Sequence, residues 1–88
     1  MVLEVTKKKI ENGIGVVWIE SSNMEEVVSP AARKLAYAQR AEMGLHEAGL
    51  DMVQVDALDN SGEVIEDGDA TVTPVKYRRI FTLTAPPI

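Results

Sequence analysis

Asn12-Gly13 limits what this chain can fold into more than any other pair of residues. Both residue types tolerate positive φ, which a type I′ turn needs at its two central positions, so the pair predicts a two-residue hairpin. The flanks agree. Val2 to Glu11 precedes the turn, and Ile14-Gly15-Val16-Val17-Trp18-Ile19-Glu20, rich in β-forming residues, follows it. A two-residue turn also fixes register. Glu11 then faces Ile14, Ile10 faces Gly15, Lys9 faces Val16, Lys8 faces Val17, and Lys7 faces Trp18. One side of the hairpin should carry Ile10, Val17 and Ile19 with Lys8 and Thr6, and the other Ile14, Val16 and Trp18 with Lys7 and Lys9.

Beyond the hairpin, Ser22-Asn23-Met24-Glu25 has the spacing of a capping box and can open a short helical turn. Ser29-Pro30 is a cleaner helix start, because serine caps and proline suits the first helical position, where its missing N–H costs nothing. The alanine-rich sequence after it predicts one helix running toward Gly49, with Gly44 inside it marking close packing. At 100° per residue Ala31, Leu35, Ala38, Ala41, Leu45 and Ala48 form a stripe suited to a sheet face, with Arg33, Ala36, Arg40, Met43 and Glu47 opposite. Met52 to Ala57 alternates as a strand, Asp59-Asn60-Ser61-Gly62 turns, and Glu63 to Glu66 returns as a short strand. Glu66-Asp67-Gly68-Asp69 is a second turn, and Ala70 to Ala85 a long strand that Pro74 breaks or places at an edge. The expected fold is α+β, a single helix packed on a mostly antiparallel sheet in the order β-β-α-β-β-β.

Residues 1–88 make one domain with a thin core, since a chain this short buries only about 60–65% of its unfolded surface. Hydrophobic residues at 45% and charged residues at 26% are globular composition rather than disorder. There is no cysteine, hence no disulfide or thiolate metal site. Small domains without such staples lean on a partner surface or on self-association, so another protein, or a second copy in a homodimer, is the expected partner. No stretch approaches the roughly 18 apolar residues that span a membrane. The basic run Lys7-Lys8-Lys9 follows the apolar N-terminal residues, the reverse of a secretory signal. A cytoplasmic protein with no membrane partner is the expectation.

Motifs for chemistry fail one by one. His46 is the single histidine, and His46-Glu47 does not continue as a zinc motif because Leu50 stands where the second histidine belongs. Aligning Gly62 with the glycine of a calcium loop puts Ala57 first and Gly68 last, where carboxylates are required. Gly13-x-Gly15 sits in a hairpin and not at the start of a helix, so it is no phosphate cradle. Glu63, Glu66, Asp67 and Asp69 could pair for acid–base work, but nothing places them in a low-dielectric cleft. No enzyme, catalytic residue, cofactor, metal site or small-molecule substrate is expected.

Two features remain. Seven acids and no base lie between Asp51 and Asp69, while six of nine bases sit in Lys7-Lys8-Lys9 and Lys76/Arg78/Arg79, within a net charge of −5. The second strand is also apolar on both sides, and one helix can cover only one of them. The uncovered strip, with Trp18 beside a lysine, is the kind of surface that marks an interface. Ser21–Val28 or the C-terminus folding over it is the alternative.

These features lead to a small acidic protein-binding module, an inhibitor or adaptor such as a mobile-element or phage-encoded inhibitor of a nucleic-acid-binding host protein. Ile14, Val16, Trp18, Lys7 and Lys9 would form the docking strip, and Glu63, Glu66, Asp67 and Asp69 an acidic surface. One alternative is single-stranded nucleic-acid binding by Lys7, Lys9, Lys76 and Arg78 with Trp18 and Tyr77 as stacking surfaces, disfavoured by the negative charge. Another is a structural subunit of a homo-oligomer.

Overall fold

A computed structural model describes residues 3–45, 49–66 and 71–84, with the backbone alone for 51–53. It is an α+β fold. The elements are β1 (Glu4–Glu11), β2 (Ile14–Ser21), α1 (Met24–Val27), α2 (Pro30–Ala38), β3 (Gly49–Leu58) and β4 (Lys76–Thr84). The four strands form one sheet in the order β1-β2-β4-β3, every neighbouring pair antiparallel. The chain therefore leaves β2, crosses through both helices to the edge strand β3, and returns to insert β4 between them.

The hairpin follows its sequence. Asn12 and Gly13 take φ of 53° and 78°, and the five residue pairs nearest the turn meet as the register rule requires. A bulge between Val5 and Lys7 then resets the pairing, so that Val5 opposes Ile19 and Glu4 opposes Glu20. Thr6, expected beside Val17, is the extra residue of that bulge, and its hydroxyl reaches the opposite side of the sheet.

The helical region is shorter and more broken than its alanine content suggests. The Asn23 carboxamide, not Ser22, caps α1 by accepting from the Glu25 N–H at 2.8 Å. Ser29 caps α2, with Pro30 in its first turn. This helix ends at Ala38 rather than near Gly49; turns follow, and Gly44 at φ +72° closes them. Because Leu45 is outside the helix, the expected stripe has lost its second leucine. The helix rotates to bury Ala32 and Ala36, leaving Ala31, Ala38 and Ala41 exposed, and Met43 packs on the core instead of lying opposite it. Ala48 and His46 lie outside the described residues.

The core sits between α2 and one sheet face. Val17, Ile19, Phe81 and Leu83 are buried there with Ala32 and Ala36, and Val5, Leu35, Met43, Leu45 and Leu50 pack around them. Alanines let the helix axis approach closely. Gly15 extends the same economy: a Cβ there would lie 2.7 Å from Leu45 Cδ1 and 2.8 Å from Met43 Cε, so the turn after α2 presses directly on β2. Lys8 ties that turn down through Glu42 at 2.6 Å.

The second half of the chain has fewer strands than its pattern suggests. Asp59–Gly62 turns as expected, with Gly62 at φ +86° and its N–H on the Asp59 carbonyl at 3.0 Å. The short strand read at Glu63–Glu66 reduces to one bridge, Val64 to Leu58, with Ile65 N–H donating to Ala57 O at 2.9 Å. Pro74 falls outside β4, which starts at Lys76; a proline cannot supply the ladder N–H that an interior strand needs. The turn expected at Glu66–Asp69 reaches past the described residues at Asp67. No helix among the described residues is long and apolar enough to cross a membrane.

Candidate functional site

Strand alternation sorts every side chain of β2 and β4 onto the helix side or the far side. Gly15, Val17, Ile19 and Ser21 of β2 and Tyr77, Arg79, Phe81 and Leu83 of β4 face the helix. Register places Lys7, Lys9 and Glu11 of β1, Ile14, Val16, Trp18 and Glu20 of β2, and Lys76, Arg78, Ile80 and Thr82 of β4 together on the far face. From β3, Gln54 and Asp56 join them, opposite Ile80 and Arg78. The expected strip Ile14–Val16–Trp18 thus gains Ile80, which pairs directly with Trp18. Ile14 is 41% exposed, and Val16, Trp18 and Ile80 are half-buried.

Ser21–Val28 does not cover this strip. Both helices lie on the other side: Val27 is buried there, and the Val27 carbonyl accepts from Arg79 Nη1 at 3.1 Å. α2 has nine residues, hence a length of about 14 Å, against a long axis of 47 Å for the molecule.

Trp18 is fixed by its neighbours. Lys7 Nζ lies 4.4 Å from the ring centroid and Arg78 Cζ lies 4.0 Å from it. The two cations come from β1 and β4, the strands flanking β2. Each such contact contributes about 0.5–1 kcal/mol at an exposed site and more when desolvated. Arg78 is itself held by Glu20, whose Oε2 accepts from Arg78 Nε at 3.0 Å and from the Thr6 hydroxyl at 2.8 Å. Glu20 is only 7% exposed, and an acid so buried needs both donors. The bulge at Thr6 has a role here, since it delivers the hydroxyl to the carboxylate.

Among the described side chains the far face carries as many bases as acids, although the chain does not. Lys7, Lys9, Lys76 and Arg78 stand against Glu4, Glu11, Glu20 and Asp56. Lys9 pairs with Glu11 at 3.3 Å, and Gln54 Nε2 donates to both Asp56 oxygens at 2.9 Å. The four bases expected to share a face do share it, with β2 lying between their two strands. Tyr77, expected as a second stacking surface, opposes Ser21 and falls on the helix side.

The acidic surface is brought together only in part. Glu63 and Glu66 are exposed beside the end of β3, while Asp67 and Asp69 lie outside the described residues. Asp59 is a turn residue: its carboxylate accepts from the Ser61 hydroxyl at 2.7 Å and from the N–H groups of Ser61 and Glu63. The Ser61 hydroxyl, with the Glu63 N–H next in effect, holds its pKa below the usual aspartate range. Among the described residues no three His, Cys, Asp or Glu side chains gather as a metal site would require.

Sequence reasoning missed Glu20 and Ile80 as members of this face, and the contact of Arg78 with Trp18. The parity of β4 was readable from its alternation, but its insertion beside β2 was not. Compared with protein-family models, curated proteins and solved structures, the chain shows no match.

Proposed function

We propose that this chain is a protein-binding module that docks through the far face of its sheet, with Trp18 as the anchor and Ile14, Val16 and Ile80 as the apolar floor. The observation that carries the reading is the pinned tryptophan: a large aromatic held by Lys7 and Arg78 on a sheet face that neither helix reaches, with the C-terminal 85–88 outside the described residues. A ring already ordered loses little side-chain entropy on binding, which is what an interface anchor requires. Balanced charge around it favours a protein partner, whose own charges alternate in sign, over a polyanion. An inhibitor or adaptor role, with Glu63 and Glu66 extending the contact onto a basic partner, is the form this activity would take.

The test begins with acrylamide quenching of Trp18 fluorescence in the free chain, followed by capture of partners with wild-type and Trp18→Ala proteins. Quenching between that of an exposed and that of a buried indole, and partners retained by the first protein and lost by the second, is the expected result. A Trp18 shielded in the monomer sinks the reading. Reversing the charge of Glu63, Glu66, Asp67 and Asp69 separately asks whether the acidic segment takes part.

The shared face of Lys7, Lys9, Lys76 and Arg78 favours a second reading, binding of single-stranded nucleic acid. The two cations already over the indole count against it, because they compete with a stacking base for the ring. Retention on an oligonucleotide column at low salt, lost steeply as salt rises, would support it over the first.

A further inference from the structure

On the helix side, β3 lies beyond the reach of α2. The helix rests on β2 through Ala32 and Ala36, β4 separates β2 from β3, and a groove of about 400 Å³ remains along the start of β3. Pro30, Arg33, Lys34 and Tyr37 form one wall, and Gly49 and Leu50 the other. Among the described residues that line it, its charge is of one sign. From Pro30 to Arg40 the chain has three bases and no acid, and neither Arg33 nor Lys34 forms an ion pair among the described residues. Arg79 lies near: burial, and then the charge of Arg33, lower its pKa, and its Nε is buried without a hydrogen-bond partner among the described residues. An apolar groove beside cations that form no ion pair among the described residues fits an extended segment that carries both carboxylates and aliphatic groups.

The chain itself displays such a segment. Glu63-Val64-Ile65-Glu66 is held extended against Ala57 and Leu58, with Val64 48% exposed and both glutamates exposed. Groove and segment lie at opposite ends of β3. A two-fold axis beside that edge strand runs two copies antiparallel, bringing the start of one β3 to the end of the other. We propose that the α2–β3 groove receives the Glu63–Glu66 segment of a second copy, giving a weak reciprocal dimer that leaves the far face free. The contact is isologous, so it closes at two copies and does not extend into a fibre.

The experiment is light scattering over a concentration series at low salt, on the wild type, on R33E/K34E, on E63K/E66K, and on an equimolar mixture of the two variants. All four substituted residues are exposed, and far-UV circular dichroism checks that each variant folds. The wild type should dimerise with rising concentration, each variant alone should associate about tenfold or more weakly, and the mixture should recover the dimer, because each copy then offers the charge the other needs. An unfolded variant could not give that recovery. A wild type that stays monomeric overturns the proposal, as does a dimer that neither charge reversal moves or a mixture that fails to recover. Trp18→Ala should dimerise as the wild type does; loss of the dimer there would place self-contact on the far face and overturn the groove.

Discussion

Strands β2 and β4 present two apolar faces, and the two have opposite fates. On the helix side, Val17, Ile19, Phe81 and Leu83 are fully buried beneath Ala32 and Ala36. On the other, Val16, Trp18 and Ile80 are half-buried, and what order they have comes from cation–π contacts and one buried ion pair. The same backbone supports both, so the difference lies in what covers them. A layer of packed alanines makes a core that tolerates little change. A row of charged side chains leaning on an indole makes a surface that is ordered yet still available.

The strongest way to break that contrast is to truncate matched neighbours on β4. Phe81→Ala should destabilise by about 3–5 kcal/mol, the cost of emptying a buried aromatic site, whereas Ile80→Ala should cost about 1 kcal/mol or less, as half-exposed positions do. Urea denaturation of both variants reads the difference. Equal losses would mean that something covers the far face as thoroughly as α2 covers its opposite.

The next effect concerns the pair beneath Trp18. Arg78 and Glu20 have side chains only 14% and 9% exposed, so their interaction should behave as a buried one. Glu20→Ala leaves Arg78 and the Thr6 hydroxyl without their acceptor and should cost about 2 kcal/mol. A double-mutant cycle with Arg78→Ala should return a coupling of about 1–3 kcal/mol. Coupling below about 0.5 kcal/mol would class the pair with surface salt bridges, and the tryptophan clamp would then rest on contacts with Lys7 and Arg78 alone.

How much of this was legible in the sequence divides along the same line. The hairpin was readable residue by residue, because Asn12-Gly13 is a local signal and a two-residue turn leaves no freedom in register. Helix starts at Asn23 and Ser29 were readable for the same reason, with an error of one residue at the first cap. The end of α2 was not, since alanine content predicts helix toward Gly49, and only the fit of Met43 and Leu45 onto Gly15 explains why the chain turns early. Strand order was the least accessible. Nothing local announces that β4 inserts between β2 and β3, and that insertion brings Arg78 to Trp18 and Glu20. The far-face strip was therefore half visible: Ile14, Val16, Trp18 and Lys7 from the hairpin, but not Ile80 or the contact of Arg78 with Trp18.

Gly15→Ala tests the helix side from the turn rather than from the helix. The added methyl meets the flexible ends of Leu45 and Met43, which can shift, so the cost should be about 1 kcal/mol. The Trp18 emission spectrum should stay unchanged, because the strain falls on the opposite face. A shifted spectrum would show that the two faces are mechanically coupled through β2.

The smallest expected effect is a pH dependence set at the rim. The hydrogen bond from Lys8, and then its charge, hold the Glu42 carboxyl below the usual glutamate range, as the Ser61 hydroxyl does for Asp59. A depressed carboxylate pKa means that the folded state binds fewer protons than the unfolded one. Its stabilisation is present above the ordinary carboxylate range and is lost as pH falls through the folded value. Acid should therefore loosen both turns slightly before the core unfolds. NMR titration of the two carboxyl groups should place both below their unfolded values, with Ser61→Ala moving Asp59 upward and Lys8→Met moving Glu42 upward. If Lys8→Met leaves Glu42 where it was, the turn after α2 is held by Met43 and Leu45 packing alone, and the helix side owes nothing to its one tethering ion pair.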